Sequence, residues 1–418
     1  MRYKTIIILT LLIFTVFYSY GSILIPMDNS QSNHLKAYGI AFAALSEDIA
    51  VKWLLNYRGG SWLLPDSYNI QSLCNIRGVT YETVNAADEV QIMAEIQESN
   101  MDAVMLEKEP KIAVYVPPSE EPWDDAVTLA LTYAQIDYET LWDEDVLTGK
   151  LNEYDWLHLH HEDFTGQYGK FYASYRNAPW YKEDVKTNEE MAAKFGYKKV
   201  WQMKHAVTDK IKDFVQKGGF LFAMCAACDS YDVAQAVGNV DIVDQVFDGD
   251  GIDPAYQSKL NFDRCLVFEN FQIITNPYQY EFSSIDASDY AKLRGAEQDY
   301  FQLFDFSAKY DPVPTMLTQC HTNAVNGFLG QTTSFHKRFV KKSVILLGEV
   351  PGADEVKYLH GNYGKGTFTF YGGHDPEDYQ HRIGDPETVL DMHKNSPGYR
   401  LILNNILFPA AEKKKLKT

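Results

Sequence analysis

Apolar residues at Val200, Met203, Val207, Ile211, Phe214 and Val215 recur at three- and four-residue spacing, which predicts one buried face of a helix. Gly218, a residue type that closes helices in a left-handed conformation, ends it. The pattern then changes to an unbroken apolar run, Phe220 to Met224, as a buried strand requires. Asp229-Ser230 starts a second helix. Cys225 stands at the turn between strand and helix, with Ala223 and Ala227 two residues to either side. A tight strand-turn-helix with a nucleophile at its apex and small neighbours is a nucleophile elbow, and the helix N-terminus behind it stabilises a thiolate.

The same reading divides the rest of the chain. Residues 22–108 form a small α/β unit: a strand at Ser22 to Pro26, a helix over Asn33 to Leu45, two strands around Gly59-Gly60, and a helix over Asp88 to Ser99. Glu107 to Pro110 is a linker. From Lys111 the pattern alternates: a strand at Ile112 to Val116, a helix from Asp124-Asp125 to Ile136, and strands at Tyr138 to Leu141 and Tyr154 to His160. A long helical region over Asn188 to Lys217 precedes the elbow strand. This alternation predicts an α/β fold with a doubly wound, mostly parallel sheet across residues 109–412, and ligands at the carboxyl ends of its strands. Residues 255–314 break the rhythm and read as an insertion, a lid or an edge subdomain. Strand character resumes at Ser343 to Leu347. A hairpin follows, Val356 to Leu359 with Gly366 to Tyr371, and a last helix runs from Pro397 to Leu407.

Composition changes this picture in three ways. The chain has 418 residues and a formal charge of -19, which argues against nucleic acid as a partner. Arg2 and Lys4, an apolar run from Ile6 to Phe17, and Ser19-Tyr20-Gly21 read as a cleaved export signal over 1–21, so the protein is expected in the periplasm or outside the cell. No later segment is long and apolar enough for a membrane span, and residues 413–418 read as a basic tail. Five cysteines, Cys74, Cys225, Cys228, Cys265 and Cys320, are too few and too odd in number for a disulfide scaffold.

A thiol nucleophile needs a base, and the base needs an orienting acid. His374, at the end of the late strand, and Glu377 supply those residue types, giving Cys225, His374 and Glu377 as the candidate catalytic set. His160, His161 and Glu162 at another strand end, together with Asp375, are the candidate substrate pocket. Other readings of the same residues stay open. A cysteine closing a core strand is often inert. Cys225-Ala226-Ala227-Cys228 also has dithiol redox spacing. No cofactor is required, although His160, His161, His374 and His381, with His158 and His393 nearby, offer a zinc site without any established ligand spacing. The aromatic segment Phe171 to Tyr181 offers stacking faces for a sugar or peptide.

From Lys111 onward the chain resembles the class I glutamine amidotransferase-like superfamily. The resemblance rests on the elbow at Ala223 to Ala227, on His374-Asp375-Pro376-Glu377 after the late strand, and on the terminal helix. It implies a flavodoxin-like core and a Cys-His-Glu hydrolase or amidase acting on a C–N bond of a small-molecule, peptide or glycan substrate. Family members carry glycines at both positions two residues from the Cys and an uninterrupted His-Pro-Glu; here alanines and Asp375 intervene. Over its whole length the chain also resembles exported proteins of Bacteroidetes-type bacteria, often labelled asparagine synthetase. The matching stretches are Ser22 to Asp28, Leu54 to Ser61, His158 to Phe164 and Asn395 to Arg400. The motifs of that activity, a Cys directly after the initiator Met and a Ser-Gly-Gly-x-Asp-Ser loop, are not in the sequence. A non-catalytic binding module on the same fold is the remaining alternative.

Overall fold

Two sheets organise the computed structural model, which describes residues 21–118 and 125–412. The expected export signal and basic tail lie outside the described residues, apart from Gly21. The first sheet holds β1 (Ser22–Ile25), β2 (Val51–Leu55), β3 (Ser61–Pro65), β4 (Glu82–Val84) and β5 (Asp102–Leu106), in the order β4-β1-β3-β2-β5. All its pairings are antiparallel. The connection between β2 and β3 needs left-handed backbone at Asn56, Arg58, Gly59 and Gly60, which explains the paired glycines there.

The second sheet holds β6 (Ile112–Tyr115), β7 (Glu139–Leu141), β8 (Trp156–Leu159), β9 (Phe220–Met224), β10 (Tyr300–Leu303), β11 (Ala324–Asn326), β12 (Ile345–Glu349), β13 (Val356–Tyr363) and β14 (Gly366–Tyr371). Their order is β11-β10-β12-β13-β14-β9-β8-β6-β7. Pairing is parallel from β14 through β9, β8 and β6 to β7, and antiparallel from β14 to β11. The protein is therefore α/β with mixed sheets. Antiparallel pairings outnumber parallel ones, contrary to the mostly parallel expectation. The physical reason is that tight turns such as Gly364 (φ +61°) fold adjacent strands back, whereas a parallel neighbour needs a long crossover.

Two further expectations change. The helical region over Asn188 to Lys217 is two helices, Pro179–Lys194 and Val200–Lys217, separated near Gly196 (φ +79°). The presumed insertion contains β10, an integral strand whose residues alternate exposed and buried between β11 and β12. Aromatic neighbours hide that period of two in the sequence.

The terminal helix Pro397–Leu407 and the helix His34–Ser46 sit between the two sheets. Tyr38 donates to Asn404 (2.5 Å), and Arg400, wholly buried, donates to the carbonyls of Met27 (2.9 Å) and Gly59 (2.8 Å). The two regions thus share one apolar core. Strands β8, β9 and β14 lie side by side, in register and pointing the same way, with Leu159 opposite Ala223 and Met224 opposite Tyr371. The residues that follow them, His160-His161, Cys225 and Gly372-Gly373-His374, therefore emerge at one edge.

Candidate functional site

Cys225 has φ of +49°, and the helix Cys225–Val237 begins with it. A non-glycine residue in that left-handed region costs on the order of 1 kcal/mol, a strain that surrounding structure must hold. Met224, just before, is extended. The backbone N–H of Gln331 donates to Cys225 Sγ at 3.2 Å. Gly330 makes this approach possible: a Cβ there would stand 2.8 Å from the His374 nitrogen and 3.0 Å from Sγ. The Gly330-Gln331 loop is held from beneath by Lys357, whose ammonium donates to the carbonyls of Phe328 (2.6 Å) and Thr333 (2.9 Å). Burial pulls the Lys357 ammonium down to about 8.

A cleft of about 140 Å³ opens over the thiol. Cys225, His161, His374, His381, Gln331 and Tyr280 form much of its lining, with Lys292 and Arg382 as its cationic side chains. The His374 ring packs edge-on against His160 (4.4 Å between centroids) and stacks on His381 (4.7 Å). Each neighbour is fixed by a carboxylate. Asp125 caps the helix Ala126–Ala134 and lies 3.2 Å from His160 Nδ1 and 3.4 Å from His158 Nε2. Asp378 lies 3.0 Å from His381 Nδ1. Burial alone would raise the Asp125 carboxyl, but the charge of His158 and His160 and their hydrogen bonds hold it well below the usual range. His161 is held well below the ordinary imidazole value by burial, then by the neighbouring His160 and His374, so it is neutral. One ligand atom each from His160, His161 and His374 falls within a 4.8 Å group.

The expected residues are only partly assembled. Cys225, His374 and His161 share the cleft. Glu377 does not serve His374: its carboxylate is 2.8 Å from His393 Nδ1. The inserted Asp375 is the reason, because its own carboxylate accepts the Glu377 backbone N–H (2.8 Å) and turns the chain. Asp375 itself is buried and lines no part of the cleft. His160 stands behind His374, fully buried, rather than in the substrate space. Glu162 faces a neighbouring cavity, with one oxygen accepting the His160 backbone N–H (2.6 Å). Of the weak metal candidates, His381 belongs to the cleft, and His393 belongs with Glu377. Sequence reasoning missed Gly330, Gln331 and Tyr280. Nothing in the string marks them, since each acts through backbone approach or loop position.

The dithiol geometry is not built. All five cysteines are free, and Cys228 Sγ donates to the Ala223 carbonyl (3.2 Å) inside the core. Burial, then the adjacent Cys225, push the Cys228 thiol well above its ordinary value.

Behind the elbow, burial raises Asp229 to about 8, against the hydrogen bond from Ser283 (2.8 Å). An unfolded Asp titrates near 3.9. Below that pH both states hold the proton. Between about pH 4 and pH 8 only the folded state keeps it, so this residue's contribution to stability falls as pH rises. Asp229→Asn should therefore gain about 1–3 kcal/mol over wild type on going from pH 5 to pH 8. Urea midpoints at the two pH values measure this, and a pH-independent difference would exclude the protonated carboxyl.

No protein-family model and no curated protein matches the sequence. Among solved structures, the chain is similar to a cytoplasmic protein of Salmonella typhimurium, STM3548, at 10% identity and a TM-score of 0.36, over 73% of this chain and 100% of that one. A second Salmonella typhimurium cytoplasmic protein, STM1381, gives 12% identity and a TM-score of 0.35, over 71% and 99%. Gan42B, a GH42 beta-galactosidase from G. stearothermophilus, gives 12% identity and a TM-score of 0.27, over 64% of this chain and 28% of that one.

Proposed function

We propose that the protein is a hydrolase that cleaves a C–N bond through Cys225, with His374 as the base. The observation that carries this reading is the left-handed Cys225 at the start of a helix, its sulfur in one cleft with His374 and bonded by the Gln331 N–H. In this reading the parallel strands β14, β9, β8, β6 and β7 are a doubly wound, flavodoxin-like core of the class I amidotransferase-like kind. The protein acts outside the cytoplasm on a small-molecule, peptide or glycan substrate, and asparagine synthesis is not its activity.

The chemistry follows from the donors present. His374 takes the thiol proton, and Sγ bonds to the substrate carbonyl carbon. The developing oxyanion is met by the Gln331 N–H and by the Ala226 N–H in the first turn of the helix, the Ala227 N–H being bonded to the His160 carbonyl (3.0 Å). Collapse breaks the C–N bond as His374 passes its proton to the departing nitrogen. Water, deprotonated by His374, then cleaves the thioester and the thiol is restored. Asp125 and Asp378 act at one remove, by fixing the rings that pack on His374.

A second reading has its own observation. The His160, His161 and His374 group, with Asp125 on His160 Nδ1, has the donor set and carboxylate backing of a zinc centre. When bound, the ion would supply an activated water.

Alkylation with iodoacetamide from pH 5 to 9, read at each cysteine by mass spectrometry, separates the readings. The expected result is that Cys225 reacts well below the free-thiol value of about 8.5 and loses this in His374→Ala. Cys74, raised to about 12 by burial, is an internal control. A Cys225 that stays inert until unfolding leaves a binding module. Stoichiometric zinc in the purified protein, with Cys225 unreactive until chelation, would move the chemistry to the metal.

A further inference from the structure

A second cavity lies on the far side of His161, which lines both spaces. It holds about 70 Å³, roughly five water positions by the usual ~15 Å³ measure. Such a space takes a head group of a few non-hydrogen atoms rather than a sugar ring. Its walls are aromatic, including Trp142, Phe171 and Trp180. The aromatic segment noted in the sequence therefore does line a pocket, through Phe171 and Trp180.

The polar groups of this cavity can be accounted for one by one. Lys204, its cationic side chain among the described residues, is already spent. Its ammonium donates to the fully buried Asp143 carboxylate (2.7 Å) and lies over the Tyr115 and Trp142 rings. Asp163 is spent too: it accepts from the Thr165 N–H and hydroxyl (both 2.6 Å) and from the Gly169 N–H (3.0 Å). Three acceptors remain. Glu162 uses one oxygen on the His160 N–H and has the other left over. Asp184 uses one oxygen on Asn188 Nδ2 (2.9 Å). Asn188 gives both its donor contacts to Asp184, through the carbonyl and the carboxylate, which fixes the amide orientation and leaves Oδ1 buried with no partner. Asn188 is only 6% exposed and Glu162 8%. Burying Asn188 Oδ1 without a donor costs free energy that a ligand would return. Burial raises the Asp184 carboxyl to about 6, although the nearby Lys204 charge pulls it back.

We infer that this cavity is a binding site for a primary ammonium group, R–NH3+, whose three N–H donors meet Glu162, Asp184 and Asn188 Oδ1. The aromatic walls add attraction for a cation. As a binding site it stands alone. As a statement about substrate it rests on the thiol reading: the molecule cleaved at Cys225 carries an amine on the His161 side of the scissile bond.

Isothermal titration of the purified protein with n-butylammonium, tetramethylammonium and 1-butanol tests this. The expected result is that n-butylammonium binds at least tenfold more tightly than either comparison compound, because one lacks donors and the other lacks charge. Asp184→Asn should weaken n-butylammonium at least tenfold, with an unchanged unfolding midpoint showing that it folds. Cys225→Ala should bind n-butylammonium as wild type does. Equal binding of the three probes, or indifference to Asp184→Asn, overturns the ammonium site. Failure of the thiol reading is visible separately, in the alkylation of Cys225, and leaves this titration unchanged.

Discussion

Arg400→Ala should destabilise the protein by about 3–5 kcal/mol. The guanidinium is wholly buried, and its hydrogen-bond partners among the described residues include no carboxylate. It is held by the carbonyls of Met27 and Gly59 and by His321 Nδ1 (3.0 Å), while its Nε has no partner. Truncation opens a cavity where the two sheets meet and takes a donor from both carbonyls, of which Met27 keeps His34 Nε2 at 3.0 Å. Two nearby imidazoles report on the same charge. Burial, then Arg400, pull His34 down to about 4 and His321 to about 3, so both stay neutral beside the cation. Arg400→Met, which keeps volume and removes the charge, should lose less stability and let both histidines titrate closer to 6.5. Urea unfolding and proton NMR of the histidine rings measure the two effects. Equal losses for Ala and Met would mean that the charge, not the packing, carries the contribution.

Asp232→Ala should cost a similar amount, about 3–5 kcal/mol, and should also loosen the elbow. Asp232 lies on the helix that begins at Cys225. Its carboxylate accepts the backbone N–H groups of Leu266, Val267 and Phe268, each at 2.8 Å. The segment makes only an isolated bridge, Phe268 with Val340, whose bonds run through the Val267 carbonyl and the Glu269 N–H, so removing the carboxylate orphans all three amides in the core. Burial still raises the Asp232 carboxyl, in spite of these bonds. A calorimetric Tm gives the stability loss, and iodoacetamide labelling of Cys228 in native buffer reports local opening of the helix. Unchanged Tm with unchanged Cys228 labelling would show that water replaces the carboxylate without cost.

The elements with strong periodicity were legible in the sequence. The amphipathic helix ending at Gly218, the apolar strand Phe220–Met224 and the hairpin at Gly364 each carry a local signal, because solvent and core select alternate faces of one short segment. The strand Tyr300–Leu303 was not legible, because partners distant in sequence determine it. The break near Gly196 does carry a local signal, a left-handed glycine of the kind that ends the helix at Gly218, closed by the Tyr197 N–H on the Ala192 carbonyl (2.9 Å), but the long helical pattern around it masks it.

The candidate site divides along the same line. By itself the sequence determined that a cysteine sits at a strand-to-helix turn, and that histidines follow two other strands. Both are properties of short segments. Which strands become neighbours was decided only in three dimensions, through the parallel register of β8, β9 and β14 that sets His161, Cys225 and His374 at one edge. The partner of each carboxylate was likewise a tertiary decision. Glu377 goes to His393, Asp378 to His381 and Asp125 to His158 and His160. Hydrogen bonds depend on positions to a few tenths of an ångström, and sequence spacing conveys no such precision across a chain of 418 residues.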